Sequence, residues 1–172
     1  TAAHAEIAEA CAAKGVHVLV EKPLTTDVAE AQRLTSIFDE TGLIGAVGHI
    51  ERYNPALQQA KRRLAAGDLG EVYQIITRRQ GPFPGRISDV GVILDLASHD
   101  FDLTAWVAGS PFESVFARTA HRSGRAFEDL VAVTANLRNG VVTNHLVNWL
   151  SPLKERVTVI TGVKGSFVVD TI

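Results

Sequence analysis

The first fifty residues alternate between amphipathic segments and short apolar runs. One helical pattern ends at Gly15, and the apolar run 16–20 follows it. A second helical pattern begins at Thr26 or Asp27, and the apolar run 43–48 follows it. Two short apolar strands joined by a helix predict a βαβ unit of a parallel sheet with both faces covered. Because such a unit has two bare edges, we expect an N-terminal part of the same sheet to precede it.

After about residue 50 the pattern becomes strand-rich. Asn54-Pro55 is typical of a helix start, a loop with two glycines and two prolines covers 81–86, and a second helix is predicted over 94–107. The predicted strands, which share β-branched or alternating apolar positions, cover 71–79, 113–120, 130–137, 141–150, 156–161 and 166–169.

Short turns between these strands, above all Asn139-Gly140, predict hairpins and therefore a largely antiparallel sheet. The fold class is α/β (α+β): a βαβ remnant over residues 1–50 is followed by an α/β domain with an open, mostly antiparallel sheet over residues 51–172.

Composition narrows the function classes. The chain has 172 residues with 17 Lys and Arg against 19 Asp and Glu, so its formal charge is −2 and no basic excess favours nucleic acid. Cys11 is the single cysteine, which excludes a disulfide within the chain. No apolar run is long enough to span a membrane, and a cytoplasmic protein is the default expectation.

The first polar cluster is Glu21-Lys22-Pro23, which ends the first predicted strand. Open parallel sheets bind ligands beyond the carboxyl ends of their strands. A lysine at that edge can donate a hydrogen bond to a substrate hydroxyl. The alternative interpretation is an ordinary strand-ending turn with a solvated lysine.

The second cluster places Asp95, His99 and Asp102 at i, i+4 and i+7 of a predicted helix, so the three side chains share one face. A histidine between carboxylates is typical of a general acid–base. The same three residue types can also hold a metal ion, or form no more than a polar helix face.

The third cluster, 48–55, lies at the predicted domain join and brings Arg52 and Tyr53 near a possible ligand cleft. A strand end followed by a capped helix is the simpler interpretation, and both can hold. Arg78, Arg79 and Arg86 flank the Gly/Pro loop, where they can bind phosphate or carboxylate or form a solvated basic edge.

Taken together and in this order, the three clusters resemble the Gfo/Idh/MocA family of NAD(P)-dependent sugar oxidoreductases. The resemblance implies a Rossmann domain, here only its C-terminal remnant, followed by a substrate and oligomerisation domain. It also implies hydride transfer between a sugar carbon and NAD or NADP. Lys22 would then contact the reacting hydroxyl and the nicotinamide ribose, and the backbone around Glu21 and Pro23 would border the nicotinamide.

Within the same resemblance, His99 would be the general acid–base and Asp95 would orient the sugar or the proton relay, with no metal. The stretch 81–95 is most similar to members that act on nucleotide-linked amino sugars, the UDP-N-acetylglucosamine 3-dehydrogenase type. Arg86 would then bind a phosphate or carboxylate of the substrate.

One departure from the family pattern is large: the Gly-rich dinucleotide fingerprint and the acidic residue that follows it are not in these 172 residues. We therefore expect an internal fragment with weak or no cofactor binding and no turnover by itself. The alternative is a non-catalytic oligomerisation or binding module. In either case we expect homo-oligomers formed through the open sheet face.

Overall fold

The computed structural model describes residues 3–85, 87 and 89–172. The chain divides into two compact units, Thr1–His49 and Ile50–Ile172. Each unit is described by itself below. Among the described residues, every helix is too short or too polar to cross a lipid bilayer.

The first unit is a small parallel βαβ arrangement preceded by a helix. Its elements, in chain order, are α1 (His4–Ala12), β1 (Val18–Val20), α2 (Val28–Thr41) and β2 (Gly45–Val47). The strands pair in parallel, with Leu19 opposite Ala46. Of the two predicted starts, Thr26 and Asp27, the structure has Asp27 as the cap of α2: its carboxylate accepts a hydrogen bond from the Glu30 backbone N–H at 2.9 Å.

One face of this two-stranded sheet is covered by both helices, through a core of Ala5, Ala8, Ala12, Leu34 and Phe38. On the other face Leu19 is 74% exposed. The prediction that both faces are covered is therefore not met by the described residues, because α1 and α2 pack on the same side.

The second unit is built on a six-stranded sheet. Its helical elements are a 3₁₀ turn (Ile50–Tyr53), α3 (Pro55–Ala65), a π-helical segment (Ile93–Ala97) and α4 (Ser98–Ala108). Its strands are β3 (Val72–Pro82), β4 (Phe112–Ala120), β5 (Leu130–Leu137), β6 (Val142–Asn148), β7 (Leu150–Gly162) and β8 (Gly165–Asp170).

The strand order is β4-β5-β6-β3-β7-β8, and every neighbouring pair is antiparallel except β3 with β6. This confirms the predicted fold class, an α/β protein with an open, mostly antiparallel sheet. The alternation on β5 is also confirmed, because Val131, Val133, Ala135 and Leu137 are all buried. They pack with residues of α3, α4 and the π-helical segment on the inner face of the sheet.

The loop predicted over 81–86 and the strands predicted over 141–150 and 156–161 have other bounds in the structure. The loop predicted over 81–86 begins later, because Gly81 and Pro82 are the last residues of β3, where a register shift separates Gln80 from Pro82. Proline is tolerated there since it ends the strand. The strand predicted over 156–161 is longer, and the added residues pair Leu150 with Pro82 at the far end of β3.

Candidate functional site

Glu21, Lys22 and Pro23 follow β1 directly, at the carboxyl ends of the parallel strands. The Gly48 N–H, just past β2, donates to the Val20 carbonyl at 2.7 Å. A Cβ on Gly48 would lie 3.1 Å from Glu21 Oε2, so glycine allows this close approach. His4 Nδ1 on α1 lies 2.8 Å from the Pro23 carbonyl oxygen, and the Lys22–Pro23 peptide is cis. The structure therefore places this cluster at the edge where open parallel sheets bind ligands.

Asp95 and His99 lie on the helix predicted from the sequence, but that helix is not uniform. Asp95 belongs to the π-helical segment, in which the Ser98 N–H reaches back five residues to the Ile93 carbonyl. Such π turns recur at functional sites. Asp95 is buried, with 6% of its surface exposed, and His99 is half-buried at the start of α4.

Glu128, which precedes β5, holds the start of the π-helical segment. Its carboxylate accepts a hydrogen bond from the Ile93 N–H at 3.1 Å, and its carbonyl accepts one from Val92 at 3.0 Å. A Cβ on Gly91 would lie 2.0 Å from Glu128 Oε1, so only glycine leaves room for this contact. The loop before β5 thus fixes where the helix that carries Asp95 begins.

Arg52 forms a bidentate ion pair with Asp102. Its Nε and Nη2 donate to the two carboxylate oxygens at 2.8 and 2.5 Å, a bidentate pair. The hydrogen bond to Asp102 raises the pKa of Arg52 above its ordinary value. Tyr53, the neighbouring candidate, is 77% exposed. The structure therefore brings two members of different predicted clusters together and ties the 3₁₀ turn to α4.

A buried ionic triad was missed by the sequence analysis. Arg79 donates from Nη1 to Glu51 and from Nε to Asp100, each at 2.9 Å, and all three side chains are less than 10% exposed. Burial raises the pKa of Asp100 to about 6 although Arg79 opposes the shift. One signal was available: Arg79 is in phase with the apolar Ile75 on β3, which predicts an inward side chain.

Of the three arginines named for the Gly/Pro loop, Arg78 and Arg79 thus play different parts. Arg78 is exposed and pairs with Glu155 at 2.7 Å, whereas Arg79 is neither a solvated edge nor an open anion site. Arg86 lies outside the described residues.

A cavity of about 280 Å³ lies entirely within the second unit, beside Asp95. Trp149 and Pro82 supply apolar wall, and Lys154 and Arg156 supply positive charge. Neither of these two cations was named from the sequence. Across the described residues no cluster of three or more His, Cys, Asp or Glu side chains could hold a metal ion.

His145 is a core residue. Its Nδ1 lies 2.8 Å from Thr77 Oγ1, its ring packs edge-on against Phe101, and burial lowers its pKa to about 4. It therefore remains neutral near pH 7 and supports packing.

The model of the GFO/IDH/MocA C-terminal domain matches residues 57–168. The chain belongs to the Gfo/Idh/MocA family. Residues 1–49 match the model described as "Oxidoreductase family, NAD-binding Rossmann fold". The family resemblance drawn from the three polar clusters is thereby confirmed.

Two curated relatives illustrate the range of substrates in the Gfo/Idh/MocA family. UDP-N-acetylglucosamine 3-dehydrogenase of Acidithiobacillus ferrooxidans is 37% identical over 145 residues, which cover 84% of this chain and 44% of that protein. The scyllo-inositol 2-dehydrogenase (NAD(+)) of Bacillus subtilis is 34% identical over 119 residues, 67% of this chain and 35% of that protein. The match therefore spans less than half of either relative.

Solved structures of the family agree with the fold. UDP-N-acetylglucosamine 3-dehydrogenase GnnA from A. ferrooxidans superposes with a TM-score of 0.88 at 32% identity, over 99% of this chain and 55% of that chain. The WlbA dehydrogenase from Bordetella pertussis, in complex with NADH and UDP-GlcNAcA, superposes with a TM-score of 0.90 at 28% identity, over 98% of this chain and 53% of that chain.

Proposed function

We propose that this chain belongs to an NAD(P)-dependent dehydrogenase that interconverts a sugar hydroxyl and the corresponding ketone, with a nucleotide-linked sugar as substrate. The observation that carries the proposal is the buried Asp95 beside a cavity, with His99 on the adjoining turn of α4. Membership of an oxidoreductase family and 37% identity to a nucleotide-sugar dehydrogenase support it.

The residues after β1 fit the nicotinamide end of a cofactor. The close approach of Gly48 to Glu21, which a Cβ would fill, lies at the strand edge that binds dinucleotides in such sheets. Glu21, Lys22 and Pro23 are accordingly assigned to this end. When bound, NAD or NADP supplies the hydride acceptor or donor.

Each assigned side chain has one task. His99 takes the proton of the reacting hydroxyl as the C–H hydride leaves, and returns it in the reverse reaction. The family resemblance assigns Lys22 to the reacting hydroxyl and the nicotinamide ribose, where an ammonium group would donate a hydrogen bond and stabilise developing negative charge. Asp95 accepts a hydrogen bond from the sugar and orients it. Arg52, Tyr53 and Arg86 remain proposed substrate contacts, and the pairing of Arg52 with Asp102 also links the 3₁₀ turn to α4.

The test is His99→Ala in the protein as the cell makes it, with NAD or NADP reduction followed by absorbance. We expect kcat to fall by about 10²–10⁴-fold, the usual contribution of a positioned general base. The matched control is His121→Ala, because His121 is an exposed histidine before β5. Turnover that survives His99→Ala would rule out the catalytic assignment and favour the non-catalytic module.

We further propose that the outer face of the six-stranded sheet binds a second copy of this chain. On that face Phe116 and Val168 are 64% and 71% exposed. Residues paired side by side across the six strands form a row on this face, and the row begins with Arg118 on the edge strand β4 and ends with Asp170 on the edge strand β8. A twofold axis parallel to the strands brings these opposite charges together, so the face is self-complementary.

Sedimentation equilibrium tests this interface. Val168→Asp should give the monomer mass, because it buries a carboxylate in the interface. Val163→Asp is the matched control, since Val163 is also 71% exposed but lies in the turn between β7 and β8. If wild type has the mass of a monomer, or if Val168→Asp keeps the oligomer mass of wild type, the outer face of the sheet is not the interface.

A further inference from the structure

Cationic side chains outnumber carboxylates in the lining of the cavity beside Asp95. Three cations line it, Arg79, Lys154 and Arg156, against the carboxylate of Asp95. Arg79 is already matched by Glu51 and Asp100, whose carboxylates it contacts at 2.9 Å. Lys154 and Arg156 form no ion pair with an acidic side chain anywhere in residues 3–85, 87 and 89–172.

The acidic residue between these two cations does not neutralise them. Glu155 lies opposite Gln80 on the other face of the sheet, where it accepts hydrogen bonds from Gln80 at 2.6 Å and pairs with Arg78 at 2.7 Å. Because side chains alternate along a strand, Lys154 and Arg156 point away from that face.

Arg156 also stands directly opposite Arg79 in the pairing of β7 with β3. Like charges at directly opposed positions destabilise a sheet. Glu51 and Asp100 contact Arg79, whereas Arg156 interacts with Asp100 only through the electrostatic field and lines the cavity without a direct ion pair. An anion in the cavity would relieve this repulsion.

The wall of the cavity strengthens such a contact. Trp149 is only 4% exposed, and Phe83 packs edge-on against it with ring centroids 5.1 Å apart. An apolar wall of this kind lowers the local dielectric and strengthens the attraction of an anion to the half-buried Arg156, whereas Lys154 is exposed. The volume of about 280 Å³ is near the lower end of ligand pockets, enough for the charged part of a sugar derivative.

We infer that Lys154 and Arg156 form an anion subsite that binds a phosphate or carboxylate group of the substrate, with Asp95 on the sugar hydroxyls in the same cavity. This inference rests on the proposed function and adds to it the residues that bind the charged part of the substrate. The substrate is a sugar derivative that carries negative charge, and a neutral polyol lacks the group that this subsite binds.

Calorimetric titration tests the subsite with three probes: UDP for the phosphate source, glucuronate for the carboxylate source and glucose as the neutral reference. We expect UDP or glucuronate to bind more tightly than glucose. Lys154→Gln and Arg156→Gln should each weaken that binding by about 10-fold or more, the usual loss for a charge-assisted hydrogen bond. Arg156→Lys, which keeps the charge, should recover most of it.

Arg78→Gln is the matched control, because it removes a positive charge from the same region of the sheet on the opposite face. It should leave anion binding unchanged, and melting temperatures report whether each variant is folded. The subsite is wrong if neither anion binds more tightly than glucose, or if anion binding is the same in Lys154→Gln, Arg156→Gln and wild type.

The His99→Ala assay separates this inference from the proposed function. If His99→Ala loses turnover and the Lys154 and Arg156 variants bind anions as wild type does, the proposed dehydrogenase activity is supported and the anion subsite is wrong. If those variants bind anions more weakly and His99→Ala keeps its turnover, the anion subsite is supported and the catalytic assignment of His99 is wrong.

Discussion

Asp100 is a buried carboxylate whose ionisation should make the second unit less stable. It is 2% exposed, and burial raises its pKa to about 6 from an ordinary value of 3.8. The native state therefore binds the proton of Asp100 more tightly than the unfolded state does. Its contribution to stability is complete below about pH 4 and is lost as the pH rises through about 6.

The size of this loss follows from the shift. A difference of one pKa unit corresponds to about 1.4 kcal/mol, so a rise from 3.8 to about 6 corresponds to about 3 kcal/mol. Asp100→Asn removes the titration but keeps an oxygen that can accept the hydrogen bond from Arg79 Nε. Between pH 4 and pH 7, which covers most of this titration, the variant should therefore gain about 2–3 kcal/mol relative to wild type.

Urea unfolding at a series of pH values measures this difference. Trp106 and Trp149, which are the two tryptophans of the chain, both lie in the second unit and report its unfolding by fluorescence. Subtracting the free energy of unfolding of wild type from that of the variant at each pH cancels the contributions of all other titrating groups. Asp102→Asn is a control that removes a carboxylate from the same helix. A pH-independent difference for Asp100→Asn, or one that favours wild type as the pH rises, would show that Asp100 does not have a raised pKa in the native state.

Three further predictions use the same unfolding measurement. His145 has its pKa lowered from 6.5 to about 4, so wild type should lose about 3 kcal/mol relative to His145→Gln as the pH falls from 7 to 4; equal slopes would contradict this. Gly91→Ala should lower the free energy of unfolding by about 1–3 kcal/mol, because the new Cβ displaces the Glu128 carboxylate. The same substitution should lower it much less in a Glu128→Ala background, and an equal loss in both backgrounds would exclude the steric cause. Asn54→Ala should cost about 1 kcal/mol, because Asn54 caps α3 through the Ala56 N–H at 3.0 Å; an unchanged midpoint would show that the cap adds nothing.

Local patterns in the sequence predicted much of the fold, because each depends on neighbouring residues. The alternation on β5 predicted its buried face, Asn54-Pro55 predicted the start of α3, and Asn139-Gly140 predicted the hairpin between β5 and β6. Pairing details were less accessible. The extension of β7 to Leu150 depends on its contact with the end of β3, which no local pattern encodes.

The candidate site divides in the same way. Asp95, His99 and Lys22 were found from the sequence because they lie in short motifs with distinct side-chain chemistry. The sequence did not predict the π-helical segment around Asp95. This segment depends on a hydrogen bond from the Ile93 N–H to the carboxylate of Glu128, which lies more than thirty residues further along the chain.

Periodicity predicted the fold class, and motifs in a fixed order predicted the family and supplied the candidate residues for proton transfer. Only the tertiary structure decided which charges are matched. Arg52, Arg79 and Arg156 look alike in the sequence. In the structure, however, Arg52 pairs with Asp102 and Arg79 pairs with both Glu51 and Asp100. Arg156 forms no ion pair with an acidic side chain in the described part of the chain. The physical reason is that a charge is neutralised by what lies within a few ångströms in space, and sheet pairing brings together residues far apart in sequence.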